Sequence, residues 1–172
     1  MKNNLCYLTF FLLLMLNTTN AQKAAIDQKW WKESIFYQIY MPSYADSNGD
    51  GYGDFKGMTQ KLDYLKELGI KGIWLTPFLT SPKVDNGYDI ANYYEVDPTY
   101  GNKADFNLFL NEAHKRGIKV IIDMVFNHTS TDSKWFQESR KSKDNPYRDY
   151  YIWKDKPNNW ESFFGGTAWE KD

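Results

Sequence analysis

The sequence predicts an α/β fold, a parallel sheet covered on its outside by helices. Three observations carry this. SIFYQIYM from Ser34, GIWL (Gly72–Leu75) and VIIDMV (Val120–Val125) are short, nearly continuous apolar runs, the pattern of strands in a parallel sheet covered on its outside. Between them lie stretches with apolar residues at helical spacing. Two segments also align without gaps, Gly69-Ile-Lys-Gly-Ile-Trp-Leu and Gly117-Ile-Lys-Val-Ile-Ile-Asp, each a helix stop leading directly into a strand. An open doubly wound sheet and a (β/α)8 barrel both satisfy this pattern. No Gly-x-Gly-x-x-Gly or Walker loop follows any strand, which weighs against a nucleotide-binding open sheet.

The first strand runs into the loop DSNGDGYGD. A helix follows, with Met58, Leu62, Leu65 and Leu68 on one face, and Gly69 with the apolar Ile70 after it reads as a C-cap. Thr76-Pro77 closes the strand GIWL. The second helix has Asn102 as N-cap, Phe106, Phe109, Leu110 and Ala113 on one face, and Gly117 as its stop. After His128 the texture changes: residues 129–172 are polar and rich in aromatics, from Trp135 to Trp169, with no clean period. They read as an excursion beyond a strand end, the start of a small lobe.

Composition narrows the function. With 21 Lys+Arg against 22 Asp+Glu among 172 residues, the chain lacks the basic excess of a nucleic-acid binder. A hydrophobic content of 42% with 25% charged residues excludes wholesale disorder. The one cysteine, Cys6, lies in an N-terminal stretch read as a signal peptide: Met1-Lys2, the apolar run Leu5 to Leu16, then Thr18, Thr19 and Ala21. That run is too short to span a bilayer and has the length of a signal-peptide core. Removal after Ala21 is expected to leave residues 22–172 as an exported protein, periplasmic or extracellular. It would have no membrane span, disulfide, thiol nucleophile or cysteine-ligated metal.

The loop Asp46-Ser-Asn48-Gly-Asp50-Gly-Tyr52-Gly-Asp54 puts oxygen side chains at alternate positions. Calcium loops use this spacing, with side chains at 1, 3, 5 and 9 and a carbonyl at 7. Gly57 at position 12 excludes an EF-hand. A metal-free Asx/Gly turn is the alternative.

Polar residues gather at the strand ends, where parallel-sheet enzymes build their sites. Asp123 interrupts the apolar run VIIDMVFNH, where a buried carboxylate needs a partner. Asn127 and His128 follow. His114, on a helix beside Lys115 and Arg116, is expected in solvent. Beyond the second strand, Asp85-Asn-Gly-Tyr88-Asp89 is a turn signal. It also supplies what a sugar site uses, a ring face for stacking and carboxylates that accept from hydroxyls.

The order of WWKESIFYQIYMPSYADSNGDGYGDFKGM, GIKGIWLTPFLTSP, DNGYDI, IIDMVFNH and the closing NNWESFFGGTAWE resembles glycoside hydrolase family 13, the α-amylase superfamily, in its α-glucosidase and oligo-1,6-glucosidase branch. The resemblance implies a catalytic (β/α)8 TIM barrel, of which residues 22–128 would supply about the first three strands. Residues 129–172 would begin an inserted B domain. It further implies that Asp85 hydrogen-bonds hydroxyls of a terminal glucose, that Tyr88 stacks beneath that sugar, and that His128 contacts its 6-hydroxyl. Asp123 would position an arginine of the following strand. Asp46, Asn48, Asp50, Tyr52 and Asp54 match that branch's calcium site.

Such enzymes are retaining hydrolases that use a carboxylate nucleophile and a carboxylic acid. The Gly-Phe-Arg-x-Asp stretch expected to carry the nucleophile is not among these residues. On the family pattern both the nucleophile and the acid are expected beyond Asp172, which itself has no catalytic part. The expectation is therefore an N-terminal part of a hydrolase acting on α-linked gluco-oligosaccharides, in itself poorly folded and inactive. A non-catalytic sugar-binding remnant and an endo-acting α-amylase are the alternatives.

Overall fold

A computed structural model of the chain describes residues 29–172; the expected signal peptide, with Cys6, lies outside them. Strands β1 (Phe36–Ile39), β2 (Gly72–Leu75) and β5 (Lys119–Ile122) form a parallel sheet in the order β1-β2-β5. Phe36 stands opposite Gly72, and Gly72 opposite Lys119. A second, antiparallel pair joins β3 (Leu79–Thr80) to β4 (Asn92–Val96). The helices are α1 (Met41–Tyr44), α2 (Phe55–Gln60), α3 (Leu62–Glu67), α4 (Lys103–Lys115) and α5 (Lys134–Ser139), with 3-10 turns at Trp30–Glu33, Pro98–Tyr100 and Arg148–Tyr150.

The predicted strands are present, but only one face of the sheet is buried. Ile39, Ile73 and Leu75 point toward the helices and are sealed against Phe55, Met58, Leu62, Leu65, Phe109 and Ala113. On the other face Phe36, Trp74 and Ile121 stay exposed. This is the expected arrangement of a parallel sheet covered on its outside by helices, with the apolar face opposite them left open. β5 also stops at Ile122, so Asp123 lies just past the strand.

Where one helix was expected from Met58 to Leu68 there are two, meeting at Lys61 (φ −93°, ψ 0°). The Thr59 hydroxyl donates back to the Phe55 carbonyl at 2.7 Å, a bond of the kind that bends helices. Met58, Leu62 and Leu65 are buried, but Leu68 is exposed, because the chain turns away there. Gly69 (φ 83°) is the reason: its N–H bonds the Lys66 carbonyl, and Ile70 N–H bonds that of Leu65. Both bonds of a Schellman motif are thus made, with Ile70 as its buried contact. Gly117 and Ile118 repeat this with His114 and Ala113. At the other end of α4, Asn102 accepts from Ala104 and Asp105 N–H groups while Asp105 accepts from Asn102 N–H, a complete capping box.

Beyond His128 the aromatics make local stacks. Phe136 lies parallel to Trp153 at 5.7 Å, and Trp135 parallel to Tyr93 at 5.4 Å. Trp160 and Trp169 stack across the Glu161–Thr167 bridge. The last residue, Asp172, is tied back to this region by an ion pair with Arg140, the residue that ends α5. Among the described residues, no helix is long and apolar enough to cross a membrane.

Candidate active site

The parallel strands end side by side. Thr76 N–H bonds the Ile39 carbonyl, and Asp123 N–H bonds that of Leu75, so the loops after β2 and β5 leave the sheet as neighbours. The first of these carries an Asn-Gly turn in which Asn86 (φ 51°) and Gly87 (φ 97°) both have positive φ, and Tyr88 N–H closes onto the Asp85 carbonyl at 2.9 Å. Positive φ at both central positions is the signature of a type I′ turn, which Asn-Gly favours. The turn sets Asp85 and Tyr88 at its two ends, with Asp85 exposed and Tyr88 half-buried.

Tyr88 is where the site residues meet. Its hydroxyl donates to Asp123 Oδ2 at 2.8 Å, and its carbonyl lies 3.0 Å from His128 Nε2. Asp123 is half-buried, less enclosed than the sequence suggested, and it finds its partner in Tyr88. The bond to Asp123 pushes the Tyr88 phenol above its ordinary pKa, helped by burial and by the negative charges of Asp123 and Asp85. His128 is exposed, with Asn127 Nδ2 at 3.3 Å from its Nδ1. His114 is in solvent, as expected. The carboxylate of Asp172 is engaged by Arg140 and forms no part of this junction.

Asp89, which the sequence offered as a second sugar-facing carboxylate, is turned inward. It accepts from Ser81 Oγ at 2.7 Å and from Val84 N–H at 2.9 Å. Burial would raise this carboxyl, but those bonds prevail and hold it below the usual range. Sequence reasoning also missed Tyr93 on β4. Its hydroxyl lies 2.7 Å from the Val125 carbonyl and 2.8 Å from that of His128, fastening the loop that carries His128. The short β3–β4 pairing that places Tyr93 has no periodic signal long enough to read.

In the Asp46–Asp54 loop the oxygens are engaged by the loop's own backbone. Asp46 accepts from Asn48, Gly49 and Gly51 N–H groups, and those bonds, Gly51 and Gly49 foremost, hold its carboxyl below the usual range. Asn48 accepts from Asp50, and Asp50 from Tyr52. Asp54 is 6% exposed and caps α2, accepting from Gly57 N–H and from both Ser47 donors. Among the described residues no three Asp, Glu, His or Cys side chains converge as a metal cluster. The donor chemistry of Asp46, Asn48 and Asp50, hard oxygens on one glycine-hinged loop, nonetheless fits Ca²⁺. Asp54 fits it less well, since its carboxylate is committed to the cap.

Helix-covered parallel strands with a polar site at their C-terminal ends define an enzyme-type α/β architecture. Residues 38–172 match the model of the alpha-amylase catalytic domain, and the chain belongs to that family. Its parallel strands are part of a (β/α)8 barrel. The oligo-1,6-glucosidase of Parageobacillus thermoglucosidasius is 57% identical over 152 residues, covering 86% of this chain and 27% of that protein. Among solved structures, Bacillus licheniformis trehalose-6-phosphate hydrolase matches with a TM-score of 0.79 and 57% identity, over 83% of this chain and 27% of that one. A MutB mutant in complex with glucose matches equally well, at a TM-score of 0.79, 57% identity and the same coverage. The chain thus spans about a quarter of the length of these relatives.

Proposed function

We propose that this chain is part of an α-glucosidase acting on short α-linked glucosides, and that its strand-end loops hold the terminal glucose. The observation that carries the reading is the junction at Tyr88, which ties the Asp85 turn to Asp123 and His128. Asp85 accepts from sugar hydroxyls, the Tyr88 ring stacks beneath the pyranose, and His128 donates to the 6-hydroxyl. Asp123 holds Tyr88 and, in the family pattern, an arginine of the next strand. The carboxylate pair that breaks the bond belongs, on that pattern, to later strands. The chain's own residues here bind and orient.

Two further points belong to the same reading. Calcium would be held by Asp46, Asn48, Asp50 and the Tyr52 carbonyl, with Asp54 at the loop's root. Its role would be to brace the loop, drawing these oxygens around a common centre. Residues 1–21 would direct export and be removed, which N-terminal sequencing of the protein recovered outside the cytoplasm would show.

Glucose release from isomaltose and maltose by the full-length protein tests the function. Asp85→Ala is expected to raise KM or abolish turnover while leaving the fold intact, and Tyr88→Ala to do the same with some loss of stability. A folded full-length protein that neither binds nor cleaves any α-glucoside would overturn the reading.

A further inference from the structure

The loop that carries Asp85 and Tyr88 is fastened at a point the sugar-site residues do not explain. Lys83 has a left-handed backbone, φ 62°, a conformation that a lysine rarely adopts and that Asn or Gly accepts more readily. Its N–H donates locally to Ser81 Oγ at 2.9 Å, and its side chain reaches across the loop. Its Nζ is 2.9 Å from Asp97 Oδ1, with the Asp97 side chain 5% exposed. The same ammonium bonds Thr99 Oγ1 and lies 5.5 Å from the centre of the Tyr100 ring, within cation–π range.

Asp97 is also bound from both sides of this junction. Thr99 N–H donates to Oδ1 at 3.0 Å and Ser81 N–H approaches Oδ2 at 3.4 Å. Lys83 thus joins the start of the site loop to the 3-10 turn that precedes α4, two residues before Asp85. A buried carboxylate that loses its cation is costly, so the pair resists opening.

We propose that Lys83 is a positioning residue. Its clamp onto Asp97 and Thr99 holds the turn so that Asp85 and Tyr88 face the sugar subsite. The inference rests on the sugar-site reading above. It makes substrate affinity depend on a side chain that does not touch substrate, because a misplacement of about 1 Å can cost about a hundred-fold in a positioned site.

The test measures binding of methyl α-D-glucoside to the full-length protein by calorimetry, well below the thermal midpoint. The variants are Lys83→Asn, which suits the left-handed backbone but cannot reach Asp97, and Lys83→Arg, which can. Lys83→Asn is expected to weaken binding about ten-fold, and Lys83→Arg to restore most of it. Combined with Asp85→Ala, Lys83→Asn should add little further loss, since the clamp acts through that turn; a purely structural role lowers the melting temperature and leaves affinity alone. Should Lys83→Asn fold poorly, Lys83→Asn with Asp97→Asn removes the buried charge and repeats the comparison. Unchanged affinity in a folded clamp variant overturns the positioning role while the sugar site stands. Absence of glucoside binding in the unsubstituted protein overturns the sugar site and the clamp's role with it.

Discussion

The Tyr88 hydroxyl donates to Asp123 at 2.8 Å, joining residues 35 positions apart. One sits at the end of an Asn-Gly turn after β2, the other one step past β5. The bond gives a half-buried carboxylate its donor and locks the tyrosine ring against the strand ends. It also ties together two loops that diverge from neighbouring strands.

Breaking that bond should register in stability as well as in binding. Tyr88→Phe keeps the ring and removes the donor to a charged acceptor, a loss of about 1.5–3 kcal/mol. Urea unfolding of Tyr88→Phe, Asp123→Ala and the double variant should show the two losses to be non-additive. Additive losses would mean the bond contributes nothing of its own.

Alkaline pH should destabilise the fold through Tyr100, whose phenol is pushed up to about 12, by burial first and then by the negative charge of Asp97. The folded state holds this proton more tightly than the unfolded chain, whose tyrosines titrate near about 10. The contribution is therefore fully present below about pH 10 and is lost as pH rises through about 12. The span corresponds to something on the order of 2–3 kcal/mol. Tyr44, also pushed up to about 12 by burial, acts in the same direction. In Tyr100→Phe the melting temperature should fall less steeply across this range.

A methyl group at Gly57 has nowhere to go. A Cβ there would lie 2.1 Å from the Ala45 carbonyl oxygen, backbone that cannot swing aside. Gly57→Ala should cost at least about 1–3 kcal/mol and loosen the root of the Asp46–Asp54 loop. A chemical denaturation midpoint equal to that of the parent protein would show that α2 can shift away.

The calcium reading predicts that adding Ca²⁺ raises the melting temperature and that a chelator lowers it. Both responses should vanish in Asp46→Ala, which removes the carboxylate at the loop's first position. Insensitivity of the parent protein to both additions would leave the loop as an Asx/Gly turn only.

Losing the α4 cap should be modest and local. Asn102→Ala removes an acceptor for two N–H groups and should cost about 1 kcal/mol, read as a shift in denaturation midpoint without change in sugar affinity.

Much of this fold was legible from residues alone because the signals are local. Gly69 and Gly117 stop helices through backbone freedom at a single position, Asn102 caps through its own side chain, and Asn86-Gly87 dictates its turn. Apolar runs mark strands whatever surrounds them. Which face of the sheet is covered, the break at Lys61 and the exposure of Leu68 depend on neighbours distant in sequence, and only the tertiary structure decided them. The same holds for the site. Asp85, Tyr88, Asp123 and His128 could be picked out by residue type and place. That Tyr88 joins Asp123 to His128, that Asp89 turns inward, that Tyr93 fastens the His128 loop and that Lys83 ties the Asp85 loop to the turn before α4 could not. The Tyr88 and Tyr93 contacts span more than thirty residues and form when parallel packing brings the strand ends together. Those of Asp89 and Lys83 lie within the folded loop and its neighbouring turn, and no periodic pattern encodes either.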